Sequence, residues 1–275
     1  MEEIAPGIYV ETGFGGCNTG FVVTSEGIVM IDAPLRPSDA IKWKKEISAR
    51  GEVRYLINTE PHKDHYATNS FFPGTVIAHK GTAAGMKARP LSEIIEQLRR
   101  SNDEGWRLLE VQGIKFPAIT FTQELEIHLG YHTFRLIHLP GHSDSETAVF
   151  VPQERVIFTS DNVVYKTKNY LRAAVPEKWL DSLKRIGELD VDIIVPGHGS
   201  EMCNKSYISQ QAAIIEDWVE AVKAAIRKGW SREEALARIS CPDPYPLPKG
   251  REAFAAEVDR NSINRLYDLF TEKQK

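Results

Sequence analysis

Residues 53–65 read VRYLINTEPHKDH, and the rest of the chain is best understood outward from them. Val53 to Asn58 is a short apolar run rich in β-branched and aromatic residues, the pattern of a buried strand. It leads directly into a loop carrying Glu60, His62, Asp64 and His65 within six positions. A loop fed by a rigid strand holds side chains to the tolerance that metal coordination demands. Zn²⁺ takes imidazole nitrogen and carboxylate oxygen at about 2.0–2.2 Å, usually from four donors. One loop cannot surround an ion, so further ligands must come from elsewhere.

Upstream, GFVV (20–23) and IVMID (28–32) read as strands around a turn at Ser25–Gly27. Ser38 is placed to cap a helix running to about Arg50, with Ala40, Trp43 and Ile47 on one face. Downstream of the loop, a short strand at Thr75–Ala78 precedes helical spacing of Leu91, Ile94, Ile95, Leu98, Leu108 and Leu109 over 91–110. The middle third is β-rich: 119–121, 125–129, 131–139, 147–151 and 155–160. A helix near 177–187 and the strand VDIIVP (191–196) then repeat the helix–strand–loop order of 38–62, which suggests two similar halves. Beyond Gly199 the pattern turns helical: Ile214, Trp218, Val222 and Ile226 fall four apart, Ser231 with Glu234 forms a capping box, and Phe254, Val258, Leu266 and Phe270 mark a last amphipathic helix. The four prolines of CPDPYPLPKG (241–250) require an irregular connector.

Three more strand ends carry potential ligands. Gly141-His142-Ser143 follows the strand ending at Leu139, Asp161 follows RVIFTS, and His198 follows VDIIVP inside PGHG. A lone histidine past a strand is more often structural than a ligand. Four strand ends bearing His or Asp in a chain with only eight histidines reverse that expectation, because all four can gather along one edge of a sheet sandwich. Asp32 closes IVMID and suits either an orienting role toward a ligand or a loop hydrogen bond. His138 reads as structural or supporting, His79, His128 and His132 as ordinary strand or loop residues, and Trp218 as core. Tyr165 is more readily a packing residue than a substrate contact.

With these motifs in order, the chain resembles the metallo-β-lactamase superfamily. The usual HxHxDH motif appears as ExHxDH over Glu60–His65, followed by His142 in GHS, Asp161 in TSD and His198 in PGHG, and NTGFVVTSEGIVMIDAP near the N-terminus adds to the match. The resemblance covers roughly residues 5–200 and implies an α/β fold, an αββα sandwich with metals at the sheet edge. It implies a domain over 1–200 with a helical insertion at about 85–115, and the residues from 201 to 275 read as a helical extension packed on the same domain. Position by position, Glu60, His62 and His142 would hold a first metal and Asp64, His65 and His198 a second, with Asp161 bridging. The cofactors expected are two divalent ions, zinc foremost, with Mn or Fe favoured at the Glu60 position because a carboxylate prefers harder cations. The activity implied is attack of a metal-bound hydroxide on a small ester, lactone, thioester, amide or β-lactam, with Asp64 as the catalytic proton carrier. Two other readings follow from the Glu60 substitution: a mononuclear-iron oxygenase of the persulfide dioxygenase type using Glu60, His142 and Asp161, and a metal-binding homologue without catalysis.

Composition narrows the partners. The 34 Lys and Arg residues against 38 Asp and Glu leave a net charge of −4, and no basic run has the density expected of a nucleic-acid-binding surface. No apolar stretch approaches the ~18 residues needed to span a bilayer. The acidic start MEEIAPGIYV lacks the basic and apolar regions of a signal peptide, and Cys17, Cys203 and Cys241 form no CxxC pair. The expectation is a reduced, cytoplasmic protein that meets a small-molecule substrate, without nucleic acid or membrane, and whose surface is compatible with a homodimer.

Overall fold

Alternation along the central strands sends their side chains into two different cores. In β4 (Gly27–Ile31), Ile28 and Met30 enter one apolar cluster while Val29 and Ile31 enter another. In β10 (Thr147–Val151), Ala148 and Phe150 face one way and Val149 and Val151 the other. Strands buried on both faces in this manner need a covering layer on each side, and a four-layer αββα sandwich results.

The computed structural model describes residues 1–240, 242–245, 247 and 250–272. One sheet has seven strands in sequence order: β1 (Glu2–Ala5), β2 (Ile8–Glu11), β3 (Thr19–Thr24), β4, β5 (Val53–Asn58), β6 (Thr75–His79) and β7 (Ile119–Phe121). Pairing is antiparallel from β1 to β4 and parallel from β4 to β7. The second sheet runs β12 (Ile193–Val195), β11 (Val156–Phe158), β10, β9 (His132–His138) and β8 (Glu124–Leu129), antiparallel except for the β11–β12 pair. Between the sheets lie Val29, Ile57, Phe134, Leu136, Val149 and Phe158 among others.

The outer face of the first sheet is covered by α1 (Pro37–Ser48), α2 (Lys80–Ala88), α3 (Leu91–Arg100) and α4 (Trp106–Gln112), through residues such as Trp43, Met86, Leu98 and Leu109. The second sheet is covered by α5 (Pro176–Glu188), α6 (Ser206–Arg227) and α8 (Glu252–Glu272), with α7 (Arg232–Arg238) packed beside α8. Trp179, Trp218 and Leu266 share one cluster with Ile137 and Ile157 of the sheet. The helices beyond residue 200 therefore bury their apolar faces against the sandwich itself.

Several local features differ from the sequence expectation. Ser38 does not cap α1: Arg36 is the N-cap, Pro37 opens the helix, and Ser38 Oγ donates instead to Asp103 Oδ2 at 2.7 Å. The helical spacing over 91–110 is two helices, because Asn102 turns with φ 55° and Asp103 Oδ1 accepts from Gly105 N at 2.9 Å. Leu108 is consequently exposed while Leu109 is buried. A helix the sequence pattern does not signal, α2, spans Lys80–Ala88. Two glycines in KGTAAGMKA obscure that helix, and Gly85 is there for contact: a Cβ would lie 2.6 Å from Pro61 Cβ. The capping box at Ser231 and Glu234 forms with both of its hydrogen bonds. Cys17 and Cys203 are free thiols, whereas Cys241 and part of the 241–250 connector lie outside the described residues. Among the described residues, no helix is long and apolar enough to cross a membrane.

Candidate metal centre

Each ligand candidate sits just beyond the end of a strand. β5 ends at Asn58 and delivers Glu60, His62, Asp64 and His65; β9 delivers His142, β11 delivers Asp161, and β12 delivers His198. Parallel β4 and β5 end together, and Asp32 uses that alignment. Its Oδ1 accepts from Thr59 N at 2.8 Å, and its Oδ2 accepts from Thr59 Oγ1 at 2.6 Å and lies 2.9 Å from His65 Nδ1. With Nδ1 held by Asp32, His65 presents Nε2 to the cluster. Asp32 thus makes the loop hydrogen bond and also contacts the candidate ligand His65. It adopts a left-handed φ of 56°, and Ser160, next to Asp161, has φ 52°. Such backbone costs on the order of 1–3 kcal/mol per residue and concentrates where a side chain must be aimed.

The loops of opposite halves are tied together. Thr59 Oγ1 lies 2.8 Å from Ser160 Oγ, so the β5 and β11 ends are in direct contact. Asn162 Oδ1 accepts from the His142 backbone N at 3.0 Å, and Trp179 Nε1 donates to Asn162 O at 2.9 Å. Asn18 Nδ2 donates to Pro196 O at 2.9 Å and Gly199 O at 3.0 Å, pinning the turn that bears His198. In that turn, a Cβ on Gly197 would stand 2.0 Å from Asp161 Oδ1, so only glycine lets β12 end this close to the aspartate.

The result is two adjoining groups of potential ligand atoms. Glu60, His62, His142 and Asp161 form one, all buried or nearly so, and Asp64, His65 and His198 form the other. His62 Nδ1 is 2.8 Å from Glu60 Oε1, and His142 Nε2 is 4.0 Å from Glu60 Oε2 and 3.7 Å from Asp161 Oδ2. His198 Nε2 is 3.2 Å from Asp161 Oδ2 and 3.5 Å from Asp64 Oδ2. Asp161 also approaches His65 Nε2 at 3.4 Å, so it borders both groups. A third group, Cys17 with Asp32 and His65, shares His65 with the second; Cys17 Sγ donates to Asp64 O at 2.9 Å, and burial pushes its thiol up to about 12.

The electrostatics match a cation cavity. Burial would raise Asp161, but the charges of His198 and His65 hold it well below the ordinary carboxylate range. Glu60 is likewise held low against its burial by His62, His65 and His142. Against burial, His198 is pulled up to about 9 by Asp161 and Asp64. Three buried atoms, Glu60 Oε2, His65 Nε2 and Asp161 Oδ1, have no hydrogen-bond partner among the described residues. Buried carboxylate and imidazole atoms without hydrogen-bond partners are expensive, and divalent ions coordinated by the same atoms would remove that cost. The donor set fits metal.

Sequence reading missed two positioning groups. Thr59 couples Asp32 to Ser160, and Glu146 is a fully buried carboxyl whose Oε1 accepts from Ser143 Oγ at 3.0 Å. Burial and the neighbouring Glu60 carboxylate push Glu146 well above its ordinary range. An acid entering the otherwise apolar run TAVFV was the available signal. Other candidates stand apart from the cluster. His79 and His138 stack on one another at 4.0 Å, His128 and His132 contact Thr133 and Glu154, and Trp218 is core. Tyr165 packs on Tyr207 and, with Cys203, lines an open groove of about 530 Å³ that none of the candidate ligands borders.

A sequence model of the metallo-beta-lactamase superfamily matches residues 12–198. The chain belongs to that superfamily. It is 28% identical over 182 residues to the 2,4-dinitroanisole O-demethylase subunit alpha of Nocardioides sp. (strain JS1661), covering 62% of this chain and 49% of that one. The chain thus spans about half the length of that relative. It is 21% identical over 271 residues to a hydroxyacylglutathione hydrolase of Brucella anthropi, covering 98% of this chain and 89% of the relative. In structure it is similar to a metallo-beta-lactamase family protein from Thermus thermophilus, with TM-score 0.69, 15% identity, and coverage of 99% and 95% of the two chains.

Proposed function

We propose that this protein is a metal-dependent hydrolase of small carbonyl substrates: esters, lactones, thioesters or amides. The observation that carries the reading is the pair of ligand groups meeting at Asp161, with Glu60 Oε2, His65 Nε2 and Asp161 Oδ1 unsatisfied and buried. Glu60, His62 and His142 would hold a first divalent ion and Asp64, His65 and His198 a second, with Asp161 adjoining both groups. When bound, such a pair lowers the pKa of water toward neutrality and polarises a substrate carbonyl.

The chain's own residues do the rest. Asp32 and Thr59 aim His65, and Asn162 aims the His142 turn. Asp64 is the most open carboxylate of the set, its side chain 25% exposed against 7% for Asp161 and 0% for Glu60. It accepts the proton released as water attacks and returns it to the leaving group. The similarity of nearly the whole chain to a hydroxyacylglutathione hydrolase supports hydrolysis over other chemistry.

Elemental analysis of purified protein, with an ester, lactone and thioester panel, tests the proposal. Two divalent ions per chain and turnover lost on chelation are expected. A single iron per chain with oxygen consumption, or full metal content without turnover on any substrate, would overturn it.

A further inference from the structure

The turn that carries His198 is gripped from two sides. On one side Asn18 holds it through Pro196 O and Gly199 O. On the other it meets a strap, residues 163–175, which leaves the Asp161 loop and enters no helix or strand. Val164 pairs with His198, Tyr165 N donates to His198 O at 2.8 Å, and a Cβ on Gly199 would stand 2.4 Å from Tyr165 O. The course of the strap therefore sets where the His198 backbone lies.

An irregular segment has no ladder to fix its course, so its backbone groups need other partners. Here α6 supplies them. Tyr207 Oη donates to Val164 O at 3.0 Å and accepts from Lys166 N at 3.2 Å. Lys166 has a left-handed φ of 51°, a conformation that persists only where the surroundings enforce it. One turn further along α6, Gln211 Oε1 accepts from Val164 N at 3.4 Å and Gln211 Nε2 donates to Asn169 Oδ1. Asn169 in turn donates from its backbone N and its Nδ2 to Asp243 Oδ2, at 2.7 and 2.8 Å. Both backbone polar groups of Val164 are thus held by side chains of one helix.

Packing alone does not ask for these side chains. Tyr207 and Gln211 lie on the buried stripe of α6 with Ile214, Ile215, Trp218 and Val222, and Gln211 and Asn169 are fully buried. A buried amide is costly unless its polar atoms find partners, and an apolar side chain would fill the same space without that demand. The start of the strap is fixed independently of α6: Asn162 Nδ2 donates to Leu139 O at 2.6 Å, and Trp179 Nε1 donates to Asn162 O at 2.9 Å. What Tyr207 and Gln211 add is the path past His198. They do so from a helix that begins at Ser206, beyond the residues 12–198 that match the family.

We propose that Tyr207 and Gln211 are positioning residues for His198, acting through Val164 and Tyr165, so that a helix outside the matched family domain completes the site of the second ion. Metal ligands must be held to a fraction of an ångström, which a strap without these hydrogen bonds would not do. The proposal rests on His198 as a ligand of the second ion and not on the reaction the metals carry out.

The test titrates the whole chain with Zn²⁺ against a chromophoric chelator and reads two stepwise affinities. His198→Ala identifies the step that belongs to the second ion. Tyr207→Phe and Gln211→Met remove the hydrogen bonds and keep most of the bulk, and each should weaken that step about 10-fold, the scale of one to two net hydrogen bonds, without moving the other step. Ser262→Ala removes the acceptor for Leu171 N at 3.1 Å, farther along the strap, and should leave both steps unchanged. Melting of the metal-free proteins separates positioning from packing: Gln211→Met and Ser262→Ala should both lower the midpoint, while only Gln211→Met moves the second step. Unchanged affinity in Tyr207→Phe or Gln211→Met, equal weakening of both steps, or an equal effect of Ser262→Ala overturns the proposal, as does a His198→Ala protein that still binds two ions. Variants that all bind alike, in a protein that hydrolyses esters, overturn the positioning role and leave the hydrolase reading standing. Selective loss of the second ion, without turnover of any ester, lactone or thioester by the native protein, sustains the positioning role and removes the hydrolase reading.

Discussion

Replacing Glu60 probes the centre at its most unusual position. With Glu60, Asp64 and Asp161 ionised, two divalent ions face three carboxylates and a net charge of +1 remains; a histidine at position 60 leaves +2. Glu60→Gln keeps the shape and one neutral oxygen donor but removes the charge that His62, His65 and His142 stabilise. A four-ligand zinc site binds with about 10–16 kcal/mol, or about 3 kcal/mol per ligand, so losing most of one ligand weakens the first ion by about 100-fold. Glu60→His restores a full neutral donor and should retain Zn²⁺ at least as well as the native protein while losing preference for Mn²⁺ or Fe²⁺. The more positive site should also move the acidic limb of the pH–rate profile to lower pH. Competition against a chromophoric chelator gives the affinities, and elemental analysis after dialysis gives metal identity. Identical affinities, metal preferences and pH profiles in all three proteins would refute the assignment of Glu60 as a ligand.

Other expectations follow from the same geometry. Asp32→Asn removes the acceptor that holds His65 Nδ1 at 2.9 Å and should lower affinity for the second ion about 10–100-fold, read by the same chelator competition; unchanged affinity would mean that His65 is aimed by something else. Gly197→Ala forces a Cβ to within 2.0 Å of Asp161 Oδ1, so metal content should drop with only a modest fall in thermal midpoint. pH separates the metal-free from the loaded protein. His198 at about 9 lies above its unfolded value, so its pairing with Asp161 stabilises the metal-free protein fully below about pH 6.5, and that contribution is lost as pH rises through about 9. The loaded protein needs a neutral imidazole there and should lose stability in the opposite direction, on acidification; parallel melting curves across pH 6 to 9.5 would contradict this. Leu266→Ala, in α8 against the α5–α6 cluster, should cost about 2–5 kcal/mol and lower the midpoint of a single unfolding transition. A separate early transition would show the C-terminal helices to be an independent unit.

The candidate ligands were legible in the sequence because metal chemistry draws on few residue types and strand ends are easy to find. ExHxDH after VRYLIN, then GHS, TSD and PGHG, each follow a strand, and parallel or adjacent strands end at one edge. The αββα sandwich was legible through the family resemblance that these ordered motifs carry. Local propensity failed where a tertiary contact outweighed it. α2 carries two glycines because Pro61 and Ser145 lie against its backbone, and Ser38 gives up a capping role to reach Asp103. No spacing rule could show that Glu146 would be buried beside Glu60, or that Thr59 would join Asp32 to Ser160. Those relations join residues about 30 to 100 positions apart, and folding alone, by closing two sheets on one another, decides which distant side chains share a few ångströms of buried space.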